Sequence, residues 1–252
     1  MNRSIKTLLY ILVSLTTFFV NTTWSQESPK SHYFTASDGV KIHYLTLGDK
    51  GSYVVLVHGF RSSAEGNWFR QGIPQVLAQS HRVIAIDNRN HGESDKPNDG
   101  EGGIARDTIE LFDHLKIEKA HLHGYSMGGN ITGHVLAVMP ERLITASFGG
   151  SGIREIPEGE PTSPPDKNMD WDTALSQRVQ RLTAIDLSKV AIPVMAINGS
   201  EDNPYEKTVR MTRELRDFTN FILPGFGHMN AMRPGTQYAE HLAHFINSHD
   251  SK

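Results

Sequence analysis

Gly124-Tyr125-Ser126-Met127-Gly128-Gly129 follows the apolar run Ala120-His121-Leu122-His123 and precedes Asn130 to Met139. The run reads as a buried strand, and the residues after the glycines read as a helix. A serine on such a corner, with glycine two positions before and two after, forms a nucleophile elbow. The turn leaves no room for side chains at the flanking positions, so glycine is required there. The same strain holds the Ser126 hydroxyl away from the backbone. The competing reading, a serine that merely caps a helix after a glycine turn, predicts no partners elsewhere in the chain.

A serine hydroxyl is a weak nucleophile at neutral pH. It needs a base to take its proton and a third group to orient that base. In chains built around an elbow of this kind the order is serine, acid, histidine. The partners are therefore sought after residue 126. His134, His241, His244 and His249 fall in predicted helices or at the tail. His228 lies in Pro224-Gly225-Phe226-Gly227-His228, directly after the last predicted strand. The two glycines let that loop fold back toward the elbow, so His228 is the expected base. The strand ending at Ile197 is followed by Asn198-Gly199-Ser200-Glu201-Asp202. Asp202 is the expected acid, with Glu201 the alternative. It would hold the imidazole in one tautomer and stabilise the imidazolium.

An oxyanion needs backbone donors. The Met127 amide, just after the nucleophile, is one expected donor. The second is expected from Phe60, in the turn after Val54-Val55-Leu56-Val57-His58-Gly59. His58 itself reads as structural rather than as a base. Trp68 and Phe69 read as core packing, with pocket lining the alternative. His121 with His123, and His241 with His244, have spacings that could bind metal. Neither pair has a well-spaced third ligand, so no metal and no cofactor is expected.

The remaining runs alternate between short apolar stretches and longer amphipathic ones, which predicts a mostly parallel sheet covered by helices. His32–Ala36 and Val40–Thr46 flank Asp38-Gly39, a hairpin signal. Further strands are expected at Tyr53–Val57, Arg82–Ile86, Leu143–Phe148, Pro193–Ile197 and Asn220–Leu223. Helices are expected at Asn67–Gln79, broken near Pro74, at Gly103–Leu115 and at Thr236–Asn247. Residues 152–165 hold Pro157, Pro161, Pro164 and Pro165 and cannot be regular structure. Asp170–Ile185 then has helical spacing at Trp171, Leu175, Val179, Leu182 and Ile185. Residues 152–185 thus read as a small cap over the strand ends.

The chain has 252 residues, a formal net charge of −3 and no cysteine. That length fits one α/β domain. No basic tract marks a nucleic-acid partner. Thiolate catalysis, disulfides and cysteine-bound metal are excluded. Arg3 and Lys6 precede an apolar stretch from Leu8 to Val20, and Thr23 and Ser25 are small residues before Gln26. This is a secretory signal pattern, with cleavage expected after Ser25. The apolar stretch is shorter than the roughly 20 residues that span a bilayer. Residues 26–252 would form the mature domain, secreted or periplasmic, without stable membrane insertion.

Together, Val57-His58-Gly59-Phe60, Asp87-Asn88-Arg89-Asn90-His91-Gly92-Glu93-Ser94-Asp95-Lys96-Pro97, the elbow, Ile192 to Asp202 and Gly227-His228 carry a family resemblance. Over nearly all of residues 32–248 the chain resembles the α/β-hydrolase superfamily. The second segment usually reads D-x-R-G-x-G-x-S in that family, and Asn90 stands where the glycine would be. The resemblance implies an eight-stranded sheet with a cap and a serine hydrolase acting on small or medium carboxylic esters. A lactonase, a carbon–carbon bond hydrolase or a ligand-binding receptor on the same scaffold are the alternatives. A serine nucleophile counts against the dehalogenase and epoxide hydrolase branches, for which the resemblance would imply aspartate.

Overall fold

The structure is a computed structural model and describes residues 28–97, 104–156, 158 and 185–250. The proposed signal peptide and most of the proposed cap lie outside the described residues. Eight strands form one sheet: β1 (Lys30–Thr35), β2 (Lys41–Leu47), β3 (Tyr53–Val57), β4 (Arg82–Ile86), β5 (Ala120–Tyr125), β6 (Leu143–Gly149), β7 (Val194–Gly199) and β8 (Phe218–Leu223). Their spatial order is β1-β2-β4-β3-β5-β6-β7-β8. β1 pairs antiparallel with β2, and β2 antiparallel with β4. All other pairings are parallel.

Helices cover both faces: α1 (Ala64–Asn67), α2 (Ile73–Leu77), α3 (Ile104–His114), α4 (Met127–Val138), α5 (Pro204–Glu214) and α6 (Tyr238–Ser248). A parallel strand packed on both sides must be apolar throughout, and Val54 to Val57 are all fully buried. Successive side chains alternate faces. Val55 and Val57 join Ile84, Leu122, Ile131 and Phe148 in one core layer. Val54 and Leu56 join Trp68, Leu77, Leu242 and Phe245 in the other.

Three expectations need correction. The helix read over Asn67–Gln79 is two short helices, α1 and α2, joined by a 3-10 turn, and its break is at Gly72 rather than Pro74. Gly72 takes φ +77°, the left-handed region that ends a helix. Pro74 lies in the first turn of α2, where a missing amide proton does no harm. Helix α4 begins at Met127, immediately after the elbow, and not at Asn130. Helix α5 was not anticipated, although Pro204 after Asn203 is a helix-start signal. Trp68 and Phe69 are buried, as core packing requires.

The segment after β4 braces the carboxyl edge of the sheet. Asp87 accepts hydrogen bonds from the Ala64 amide (2.6 Å), the Glu93 amide (2.9 Å) and His43 Nδ1 (2.8 Å). Burial alone would raise its carboxyl pKa. These donors outweigh burial and lower it. Asn90, where the resemblance calls for glycine, has φ +66°. Asparagine is the residue type other than glycine best suited to that region, so the departure leaves the turn intact.

Candidate active site

Ser126 has φ +53° and ψ −111°, a conformation unfavourable for any residue with a side chain. Neighbouring hydrogen bonds hold it there. Its amide donates to Gly149 O (2.8 Å) on β6, and its carbonyl accepts from the Gly129 and Asn130 amides (2.9 and 3.2 Å) of α4. A Cβ at Gly124 would fall 1.9 Å from Gly128 O, and one at Gly128 would fall 1.9 Å from Val57 O. Both glycines are therefore demanded by backbone approach. Gly128→Ala is expected to lower unfolding stability by about 3 kcal/mol, the upper part of the usual overpacking range. Urea denaturation measures this, and a stability within about 0.5 kcal/mol of the parent would contradict the close approach.

The serine is at the N-cap position of α4, yet its side chain makes no capping bond. Ser126 Oγ instead lies 3.0 Å from His228 Nε2. His228 Nδ1 lies 2.8 Å from Asp202 Oδ2. Three residues separated by 26 and 102 positions thus meet at one rim of the sheet. Asp202, rather than Glu201, reaches the imidazole. With Asp202 ionised, Nδ1 carries the proton and donates to it, which leaves Nε2 to accept from the serine hydroxyl. Asp202 is largely buried, and the His228 side chain is 37% exposed.

Local bonding explains the meeting. The turn after β7 and the loop after β8 are stitched together. The Ser200 amide donates to Leu223 O and the Glu201 amide to Phe226 O, each at 2.9 Å. The Gly225 amide donates to Ser200 Oγ (2.8 Å). A Cβ at Gly199 would fall 2.0 Å from Phe226 O, so the two loops touch. The Gly227 amide donates to Asn230 Oδ1 (2.7 Å), turning the chain just before His228. Tyr125, buried beside Ser126, donates its hydroxyl to the carbonyl of His228. The two rings lie 5.4 Å apart. Burial raises the Tyr125 pKa, so the phenol stays a donor.

The loop after β3 packs on the elbow. A Cβ at Gly59 would fall 3.4 Å from Ser126 Cβ. His58 is fully buried; its Nδ1 donates to Gly59 O (2.7 Å), and its Nε2 accepts from the Asn88 amide (3.0 Å). Burial pushes its pKa down to about 4. It is a neutral structural histidine, as expected. Phe60 follows Gly59 and is 55% exposed. Among the described residues, neither the Phe60 amide nor the Met127 amide donates a backbone hydrogen bond outside regular elements. Met127 N, at the first position of α4, has no acceptor within the helix.

Of the paired histidines considered for metal binding, His121, His123 and His241 have other partners, and His121 and His123 are buried. His121 Nδ1 is 2.9 Å from Thr145 Oγ1, and His123 Nε2 is 2.9 Å from Tyr238 Oη. His241 stacks on Phe221 with ring centroids 4.3 Å apart. Among the described residues no group of three or more His, Asp or Glu side chains could hold a metal ion.

An elbow after β5, an acid after β7 and a histidine after β8 are set on a mostly parallel eight-stranded sheet. The family model described as alpha/beta hydrolase fold matches residues 53–184, more than half of the chain. The chain belongs to the alpha/beta hydrolase fold family. This alpha/beta hydrolase is 38% identical over 116 residues to a dihydrolipoyllysine-residue acetyltransferase component of the acetoin cleaving system of Pseudomonas putida. That match covers 45% of this chain and 30% of the relative. It is 39% identical over 135 residues to a 2-hydroxy-6-oxo-6-(2'-aminophenyl)hexa-2,4-dienoic acid hydrolase of Metapseudomonas resinovorans, covering 50% of this chain and 45% of the relative. The chain thus spans less than half the length of these two relatives. A solved serine hydrolase from Cycloclasticus zankles superposes with a TM-score of 0.67 at 19% identity, covering 88% of this chain and 99% of that one. At that identity the likeness concerns the fold alone.

Two residues of the site were not read from the sequence. Tyr125 occupies a variable position of the elbow motif, and nothing local signals its bond to His228. Lys207 lies in the unanticipated helix α5, and its ammonium is 2.5 Å from Asp202 Oδ1. The Asn203-Pro204 helix start was the available signal.

Proposed function

We propose that this alpha/beta hydrolase is an exported serine hydrolase that cleaves carboxylic esters of small or medium substrates. One observation carries the reading. Ser126 Oγ, on a strained corner, is 3.0 Å from an imidazole whose other nitrogen is 2.8 Å from a carboxylate. His228 takes the hydroxyl proton as Ser126 attacks the ester carbonyl. The tetrahedral oxyanion is received by the amides of Phe60 and Met127. Each such donor typically contributes about 3 kcal/mol of transition-state stabilisation. His228 then protonates the departing alcohol. Water, deprotonated by the same imidazole, releases the acid and restores Ser126. Asp202 keeps the imidazole in the reactive tautomer and stabilises its cation. No cofactor enters this scheme. Export rests on the charged, apolar and small-residue pattern of residues 1–25.

A second reading has its own support. The relative from Metapseudomonas resinovorans is named as a hydrolase of a dienoic acid. The same three side chains would serve a carbon–carbon bond or a lactone, since the attack on a carbonyl is common to all. The first experiment is therefore independent of substrate. A fluorophosphonate is expected to modify the protein once, and peptide mapping is expected to find it on Ser126. Label on another residue, or none, would refute the catalytic reading. A panel of chromogenic esters, lactones and the named class of dienoic acid then separates the substrates by kcat/KM.

A further inference from the structure

Lys207 occupies a position that local rules disfavour. It lies in the first turns of α5, where the helix dipole repels a cation, and it is 6% exposed, where an ammonium group loses its hydration. Helical side chains lean back toward the N-terminus. That lean carries Lys207 over the Asn203 turn onto Asp202 Oδ1, at 2.5 Å. Both side chains are enclosed, at 8% and 12% exposure. The helix is fixed behind it, since a Cβ at Gly152 would fall 2.2 Å from Lys207 O.

The two carboxylate oxygens of Asp202 are therefore divided between two partners. Oδ1 meets Lys207, and Oδ2 meets His228 at 2.8 Å. We propose that Lys207 is a positioning residue of this site, holding the outer oxygen of Asp202 and thereby setting the angle and charge that the carboxylate presents to His228. This role rests on the catalytic reading of Ser126 and His228 given above. The ammonium keeps Asp202 from rotating away from the imidazole. It also partly compensates the carboxylate charge, so a neutral side chain at position 207 leaves that charge unopposed beside the imidazole. On the other side of His228, the Tyr125 hydroxyl bonds its carbonyl and Ser126 Oγ lies 3.0 Å from its Nε2. Glu206, the neighbour of Lys207, is turned to Arg154 at 3.1 Å. Glu201, the neighbour of Asp202, contributes its backbone amide to Phe226 O.

The test follows the rate of fluorophosphonate labelling as a function of pH in K207M, K207Q and K207R. The two neutral variants are expected to reach half-maximal rate about one pH unit higher than the parent. Their maximal rate is expected to fall about tenfold, through loss of alignment. K207R keeps the charge and is expected to keep the parent midpoint. A parent protein labelled on Ser126, with neutral variants that share its midpoint, would overturn the role of Lys207 and leave the catalytic reading standing. Absence of label in the parent would instead overturn the catalytic reading. Should neither neutral variant fold, K207R still decides: a midpoint displaced by a full unit despite the retained charge would overturn the electrostatic role, and a parental midpoint would support it.

Discussion

Ser126→Ala is expected to reduce kcat on any accepted ester by roughly five orders of magnitude, while the protein stays folded. The alanine has no oxygen to form the acyl-enzyme, and water would have to attack directly. Only the oxyanion donors and substrate binding would remain, which together leave a small residual rate. The partners act as one unit, so His228→Ala is expected to fall by a similar factor. The double variant is expected to be little worse than either single one. Active-site turnover with a chromogenic ester measures all three. Thermal denaturation checks the fold, and the unfolding midpoint of Ser126→Ala is expected near that of the parent because Ser126 makes no helix-capping bond. A Ser126→Ala protein turning over at the parental rate would remove the nucleophile from the scheme.

The second large effect concerns acid. His58, His121 and His123 are buried neutral, and burial lowers their pKa values to about 4, about 4 and about 3. In the unfolded chain each returns to about 6.5. Protons therefore bind the unfolded state first. The stability these groups contribute is complete above pH 6.5 and is lost as pH falls from there toward 4 and 3. Between pH 7 and pH 5 each gives up about 2 kcal/mol, and the three together about 6 kcal/mol. That is comparable to the whole stability of many domains, which lies at roughly 5–15 kcal/mol. Asp87, held below its ordinary value of 3.8, adds acid sensitivity only below that range. Urea denaturation at the two pH values measures the difference. Equal stability at pH 7 and pH 5 would show that these imidazoles are not held neutral.

Much of this architecture was readable in particular residues. Val54 to Val57 announced a central strand because an unbroken apolar run can be satisfied only between two covered faces. Gly124 and Gly128 announced the elbow, and the structure supplies the cause: backbone oxygens 1.9 Å from where their side chains would begin. His228 and Asp202 were found by their places after strands, and the structure brings His228 to Ser126 and Asp202 to His228. Other features had weak or misleading signals. Pro74 looked like the helix break, but a proline in a first turn is harmless, and Gly72 turns the chain instead. Helix α5 is polar on average, so it carries no apolar run to mark it.

The strands, the elbow and the places of Asp202 and His228 follow from the chain alone, because glycine clearance, apolar periodicity and turn chemistry act over a few residues. The order of strands, with β4 inserted between β2 and β3, does not, because neighbours there are chosen by contacts formed only once the sheet closes. The same holds for the bond from Tyr125 to His228 and for Lys207 on Asp202. Each depends on how two loops and a helix pack at one edge. Distances of that kind are created by burial of distant segments against each other, and no local spacing encodes them.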